Sequence, residues 1–193
     1  VKTLTPAAQR VLDVAAELFY AKGIHAVGVD TIAAAAGVTK KTLYDRFGSK
    51  DELVGQYLAQ RDKRWRAHVY EVVAGSPRTN PVRKPLLVFD ALEEWLARES
   101  ERGCGFVNAH AELPDKDHPG RRVIEAQKAW QLAYFRELVA GLRNPARLAE
   151  SLYILLEGAT VAESLGVVPG AVANAKRLAR QLLEDAASTA PRR

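Results

Sequence analysis

The chain has 193 residues, 48% of them hydrophobic, and its 28 Lys plus Arg against 23 Asp plus Glu leave a net charge of +5 at pH 7. At this length folding removes about 70% of the unfolded surface from water, so neither a disulfide nor a metal is needed to hold a core. A single cysteine, Cys104, excludes an internal disulfide framework and any cysteine-clustered zinc or iron–sulfur site. The longest run without a charged side chain is the twelve residues from Ser164 to Ala175, with a proline inside, too short to span a bilayer. No signal-peptide pattern precedes the first predicted helix. The expectation is a soluble, cytoplasmic, mildly basic protein with no membrane partner and no resident cofactor or metal.

Helical periodicity runs through almost every segment, and strand-like alternation is absent at useful length. Thr5 followed by Pro6 predicts a helix start, and the stripe Val11, Leu12, Ala15, Ala16, Leu18, Phe19 continues it to a stop at Gly23. A short helix fits Asp30 to Ala36, and another follows Thr39 to about Phe47. Ser49 and Glu52 stand at capping-box spacing, opening a helix through Leu53, Tyr57, Leu58 and Trp65 towards Val73. Gly75 to Pro85 reads as a loop, punctuated by Pro77 and Pro81. Further helices are predicted over Leu86 to Glu101 and Phe106 to Ala111. Asp115 to Gly120 reads as a polar turn, and from Pro119 a long helix runs to about Leu142. Asn144 with Pro145 repeats the cap-plus-proline signature for a helix to about Leu165, and Pro169 opens the last one. Thr189 to Arg193 should fray. The count is about nine helices and no sheet: an all-α fold.

The segment from Val27 to Leu53 carries the chemistry. Two short helices separated by Gly37, Val38 and Thr39 match a helix-turn-helix: Gly37 permits a left-handed exit, Val38 plugs the space between helices, and Thr39 caps the second helix. Ile32, Ala33 and Ala36 give the first helix a close-packing apolar face. Leu43 and Phe47 anchor the second and leave Lys40, Lys41, Thr42, Tyr44 and Arg46 for its outer face. From Gly37 to Lys50 four basic residues stand against Asp45, a net +3, which is the local excess a phosphate-facing surface needs.

The run Val29-Asp30-Thr31-Ile32-Ala33, followed by Ala36-Gly37-Val38-Thr39-Lys40-Lys41-Thr42-Leu43-Tyr44-Asp45-Arg46-Phe47-Gly48-Ser49-Lys50-Asp51-Glu52-Leu53, closely resembles the DNA-binding signature of the TetR (tetracycline-repressor-like) family of bacterial transcriptional regulators. Ala16, Phe19 and Gly23 upstream extend the resemblance to roughly residues 8 to 58. Gly103 to Asn108 also looks like a segment found in one branch of the family. Two positions depart from the pattern. Gly28 stands where a threonine or serine cap is common, and Lys41 stands where glycine or alanine is frequent. The resemblance implies a three-helix DNA-binding domain over residues 1–48 and a helical ligand-binding and dimerisation domain over 49–193.

With that resemblance, Thr39 and Lys40 fall beside backbone phosphates, and Lys41, Thr42 and Tyr44 reach towards the major groove. Arg46 adds to the outer face, and Lys50 pins a further phosphate at a helix N-terminus. His25 reads as a solvated loop residue. One recognition helix covers only a few base pairs, so a two-fold homodimer with recognition helices about 34 Å apart on palindromic duplex DNA is expected. Its interface is expected along the last two helices through Leu152, Leu155, Ala159, Val172, Leu178 and Leu182. The resemblance also implies a small-molecule effector pocket, for which Trp65, Phe89, Phe106, Asn108, His110, Trp130 and Tyr134 are the candidates, with Phe106 expected to face Trp130 and Tyr134.

No catalytic signature accompanies these features: there is no glycine-rich phosphate loop after a strand, no nucleophile elbow and no His-Glu-x-x-His segment. The expected function is a dimeric repressor released from its operator by an effector. The competing reading is a helical ligand-binding or protein-interaction module whose helix-turn-helix is degenerate and non-specific. Basic residues at the exposed recognition-helix positions favour the regulator. Cys104 reads as a small buried hydrophobe rather than a redox sensor, and the irregular spacing of His110, Glu112, Asp117 and His118 argues against a metal.

Overall fold

The computed structural model describes residues 4–75, 82–99 and 102–188, and these form nine α-helices with no strand among them. In chain order they are α1 (Pro6–Lys22), α2 (Val29–Ala36), α3 (Lys40–Phe47), α4 (Lys50–Ala74), α5 (Arg83–Glu99), α6 (Gly105–Glu112), α7 (Pro119–Leu138), α8 (Pro145–Leu165) and α9 (Ala171–Ser188). The predicted loop residues 76–81, the end of the fifth predicted helix at 100–101 and the predicted frayed end 189–193 lie outside the described residues.

Local chemistry explains most boundaries. Thr5 Oγ1 accepts from the Ala8 amide at 3.3 Å, with Pro6 at the first helical position of α1. Ser49 Oγ accepts from the Glu52 amide at 3.0 Å, satisfying one of the free donors at the start of α4. Several boundaries differ from the sequence expectation; α7 ends at Leu138 rather than near Leu142. α5 begins at Arg83 and takes Pro85 into its first turn, where the missing amide breaks no helical bond. Asn144 adopts a left-handed backbone with φ 50° and makes no side-chain cap, so Pro145 alone marks the start of α8. α9 begins at Ala171, after Gly170 at φ 67°, so Pro169 precedes the helix rather than opening it.

The chain divides into two compact units, one of residues 1–63 with 105–126 and the other of 64–104 with 127–193; the division falls inside α4 and α7. In the first unit α1 packs on α2 and α3. Its interior is built from Val11, Leu12, Ala15 and Phe19 of α1, Ile32 and Ala33 of α2, and Leu43 and Phe47 of α3, all buried. Leu53, Val54, Tyr57 and Leu58 of α4 are buried as well. A β-carbon at Gly55 would stand 3.0 Å from Pro119 Cβ, so the small residue lets α4 pass close to the start of α7.

In the second unit α9 packs on α8 and α5. Phe89 and Phe135 are fully buried with ring centroids 6.2 Å apart, and Val69, Leu152, Leu156, Ala179 and Leu183 complete the centre. Burying each large apolar side chain of this core contributes about 1.5–3 kcal/mol, and that packing supplies most of the stability of the helices. No described helix is long and apolar enough to cross a membrane.

Candidate nucleic-acid interface

The turn between α2 and α3 is built as its residues require. Gly37 takes φ 66°, a left-handed value that a side chain disfavours, and the Val38 amide reaches back to the Ala33 carbonyl at 3.0 Å. Thr39 Oγ1 accepts from the Thr42 amide at 3.1 Å and pairs with Thr42 Oγ1 at 2.9 Å, capping α3. Gly28 leaves α2 without a side-chain cap. Leu43 at 0% and Phe47 at 4% exposure pin α3 from beneath.

Fixing that face turns the opposite one outward. Lys40, Lys41, Tyr44 and Arg46 are exposed and Thr42 is half-buried. Lys40 Nζ lies 3.1 Å from the Asp30 carboxylate, and Lys41 Nζ lies 2.8 Å from Asp45 one turn along α3. The hydrogen bond to Asp30, then that carboxylate's charge, lifts the Lys40 ammonium above the ordinary lysine value, so it remains charged. Both pairs are exposed and exchange readily for a phosphate or a base edge.

Lys50 behaves differently. Its Nζ donates to the Ile24 carbonyl at 2.7 Å and sits 5.9 Å from the Phe19 ring centroid, half-buried, tying the start of α4 to the α1–α2 connection. His25 is not simply solvated: its amide donates to Glu112 Oε2 at 2.8 Å and its Nε2 lies 2.6 Å from the Glu112 carbonyl oxygen. Within the polar turn of 115–120, His118 is buried and its Nδ1 accepts from the Gly120 amide at 2.9 Å. Among the described residues no group of His, Cys, Asp or Glu is placed to hold a metal.

The effector candidates fall in both units. Trp130 and Tyr134 stack with centroids 5.6 Å apart, and exposed Tyr70 meets both edge-on while accepting a hydrogen bond from Trp130 Nε1 at 2.9 Å. Trp65 packs edge-on against Trp95 at 5.5 Å, while Phe89 sits in the core against Phe135. Phe106, Asn108 and His110 belong to the first unit, with Phe106 buried, Asn108 half-buried and His110 exposed. A separate 310 Å³ cavity in the second unit is lined by Glu93, Leu96, Glu163, Ser164, Val172 and neighbouring small residues, none of them an effector candidate.

The interface candidates also divide. Leu152, Ala159 and Val172 are buried within the chain's own core and Leu155 is half-buried, whereas Leu178 and Leu182 are 43% and 39% exposed. α8 carries a second apolar stripe outside the expected interface set: Ile154, Val161 and Leu165 are exposed, as are Val167 and Val168 in the turn that follows. The spacing of Ile154, Val161 and Leu165, seven and four residues apart, was the available signal.

An all-helical chain presenting a basic recognition helix on a helix-turn-helix defines a DNA-reading regulator. Residues 11–57 match the family model described as bacterial regulatory proteins, tetR family. The crystal structure of SCO4454, a TetR-family transcriptional regulator from Streptomyces coelicolor, superposes with a TM-score of 0.85 at 34% identity over 93% of this chain and 95% of that one. A putative TetR transcriptional regulator from Streptomyces avermitilis gives a TM-score of 0.81 at 30% identity, over 95% of this chain and 99% of that one. The HTH-type transcriptional activator FasR of Mycolicibacterium smegmatis is 44% identical over 66 residues, 34% of this chain and only 27% of that protein's length. The chain belongs to the TetR family of DNA-binding transcriptional regulators, a family that works without catalysis.

Proposed function

We propose that the protein is a dimeric, cytoplasmic repressor that binds a palindromic operator and is released by a small-molecule effector. Residues 1–48 read DNA in this account, and residues 49–193 bind the effector and the second copy. The observation that carries the reading is the outer face of α3, where Lys40, Lys41, Tyr44 and Arg46 project from a helix anchored by Leu43 and Phe47. Lys41, Thr42 and Tyr44 reach base edges, Thr39, Lys40 and Lys50 contact phosphates, and Arg46 adds positive potential.

Dimerisation runs through Leu178 and Leu182 of α9 together with Ile154, Val161 and Leu165 of α8, the apolar side chains that one chain leaves exposed. The effector acts by binding better to a conformation whose two recognition helices no longer match adjacent grooves. FasR is a transcriptional activator, and that role belongs to FasR. Here repression follows if the operator overlaps a promoter. Stoichiometry on the selected operator tests the reading: two chains per duplex, dissociating when effector is added, is the expected result. One chain per duplex, or binding that no small molecule alters, contradicts it.

A further inference from the structure

We propose that Gln127 is the hydrogen-bond-accepting anchor of the effector site, and that the ligand is a neutral aromatic molecule carrying an N–H or O–H donor. The inference rests on the effector reading above and adds the chemistry of the ligand. Gln127 lies on α7 and is 1% exposed. Its Nε2 donates to Gln131 Oε1 at 2.9 Å, and Trp65 Nε1 donates to that same oxygen at 3.3 Å. Gln131 Nε2 in turn donates to Glu157 Oε1 at 2.8 Å, and Lys128 Nζ grips both oxygens of Glu157 at 2.7 and 2.8 Å.

The direction of this chain of hydrogen bonds is forced. The Glu157 carboxylate only accepts and the Trp65 indole only donates, so Gln131 must turn its amide nitrogen to the first and its oxygen to the second. Gln127 must then present its own nitrogen to Gln131. Its Oε1 is left over: it is buried and has no hydrogen-bond partner among the described residues. A buried acceptor without a donor is costly, and a leucine or methionine would fill the same space without that cost. That buried, unpartnered oxygen is what a donor arriving from outside the chain would satisfy.

The surroundings define that donor. Burial pulls the Lys128 ammonium down, but the neighbouring Cys104 sulfur, at 3.7 Å, and the Glu157 carboxylate outweigh it and hold the pKa above the ordinary lysine value. Lys128 and Glu157 therefore neutralise each other, and the network offers no spare charge to an ionic ligand. Trp65, which enters the network through its Nε1, is buried and packs edge-on against Trp95 at 5.5 Å, so the lining beside the network is aromatic. A flat neutral ring bearing one donor satisfies both features.

The test uses matched pairs that differ only in the donor: phenol with anisole, benzamide with N,N-dimethylbenzamide, and indole with indene. Each is titrated calorimetrically into the full chain without DNA. At least one donor compound should bind about tenfold or more tighter than its twin. Gln127→Leu should bring that pair within about twofold, and Gln127→Met should do the same if the leucine variant does not fold by circular dichroism. In the unmodified protein the Gln127 side-chain amide resonance should shift with the donor compound and not with its twin. Absence of discrimination in every pair, as for an acceptor satisfied by ordered water, overturns the proposal. So does discrimination that survives in a folded Gln127 variant, or an amide resonance unmoved by the donor compound. Operator release is read separately: discrimination without release would sink the repressor reading and leave the Gln127 site standing.

Discussion

Lys50 donates from its ammonium to the backbone carbonyl of Ile24 at 2.7 Å, so a residue at the foot of the DNA-reading motif also fastens the α1–α2 connection. An ammonium has three N–H groups, which leaves two for a phosphate. Lys50→Met should therefore have two effects at once. Chemical denaturation should show a stability loss of about 1.5 kcal/mol, the low end for a charge-assisted hydrogen bond, since the site is half-buried. Binding to specific and random DNA should weaken together, with the salt dependence of log K flattened by about one unit. Lost stability with an unchanged salt slope would confine Lys50 to the scaffold.

Lys41 should act on specificity instead. Its pair with Asp45 is 84% and 58% exposed on the two side chains, so breaking it costs the fold little. Lys41→Ala should cost about 1–3 kcal/mol against the preferred base and much less on random DNA. Asp45→Asn, which removes the competing carboxylate, should raise affinity for both. Equal losses on specific and random DNA in the Lys41 variant would remove Lys41 from the groove.

Leu178 and Leu152 both lie on the last two helices and should behave in opposite ways. Leu178→Asp combined with Ile154→Asp should give a folded monomer in sedimentation velocity with helix content unchanged, because both side chains are exposed in the single chain. Leu152→Ala opens the core of the chain and should cost about 2–5 kcal/mol in stability. A dimer that persists in the double variant would place the interface elsewhere.

The α1–α4 pattern was legible in the sequence because its signals are local. Thr5, Gly37, Thr39 and Ser49 act within one turn of themselves, and Leu43 with Phe47 sets the register of α3. Contacts between distant segments carry no such mark. Nothing around His25 announces Glu112, and nothing around Lys50 announces Ile24. The two stripes of α8 blur in sequence because Leu152, Ile154, Leu155 and Leu156 are all apolar, and only packing on α9 and α5 decides which turn inward. For a related reason, helical spacing places Trp130 beside Tyr134 but says nothing of where Trp65 or Phe89 rest.

Alkaline stability offers a check on the second unit. Burial first, then the negative charge of Glu137, pushes the Tyr134 phenol from 10.0 up to about 12. The neutral phenol is thus favoured by folding. Its contribution is fully present below pH 10 and is lost as the pH rises to about 12, because the unfolded chain ionises first. Tyr134→Phe should lose less stability than the unmodified protein across that window, as measured by denaturant midpoints at stepped pH. Parallel decline in the two proteins would show that Tyr134 is free to ionise in the folded state.

Whether α3 reads DNA in a two-fold assembly is decided by selection from random duplex DNA at physiological salt. The winning sequence is then titrated against random DNA on the same protein. A palindromic winner bound at least about a thousandfold tighter than random sequence is expected. Failure to enrich any sequence, leaving only weak salt-sensitive binding, would contradict DNA reading by α3 and reduce its basic face to an ordinary solvated surface.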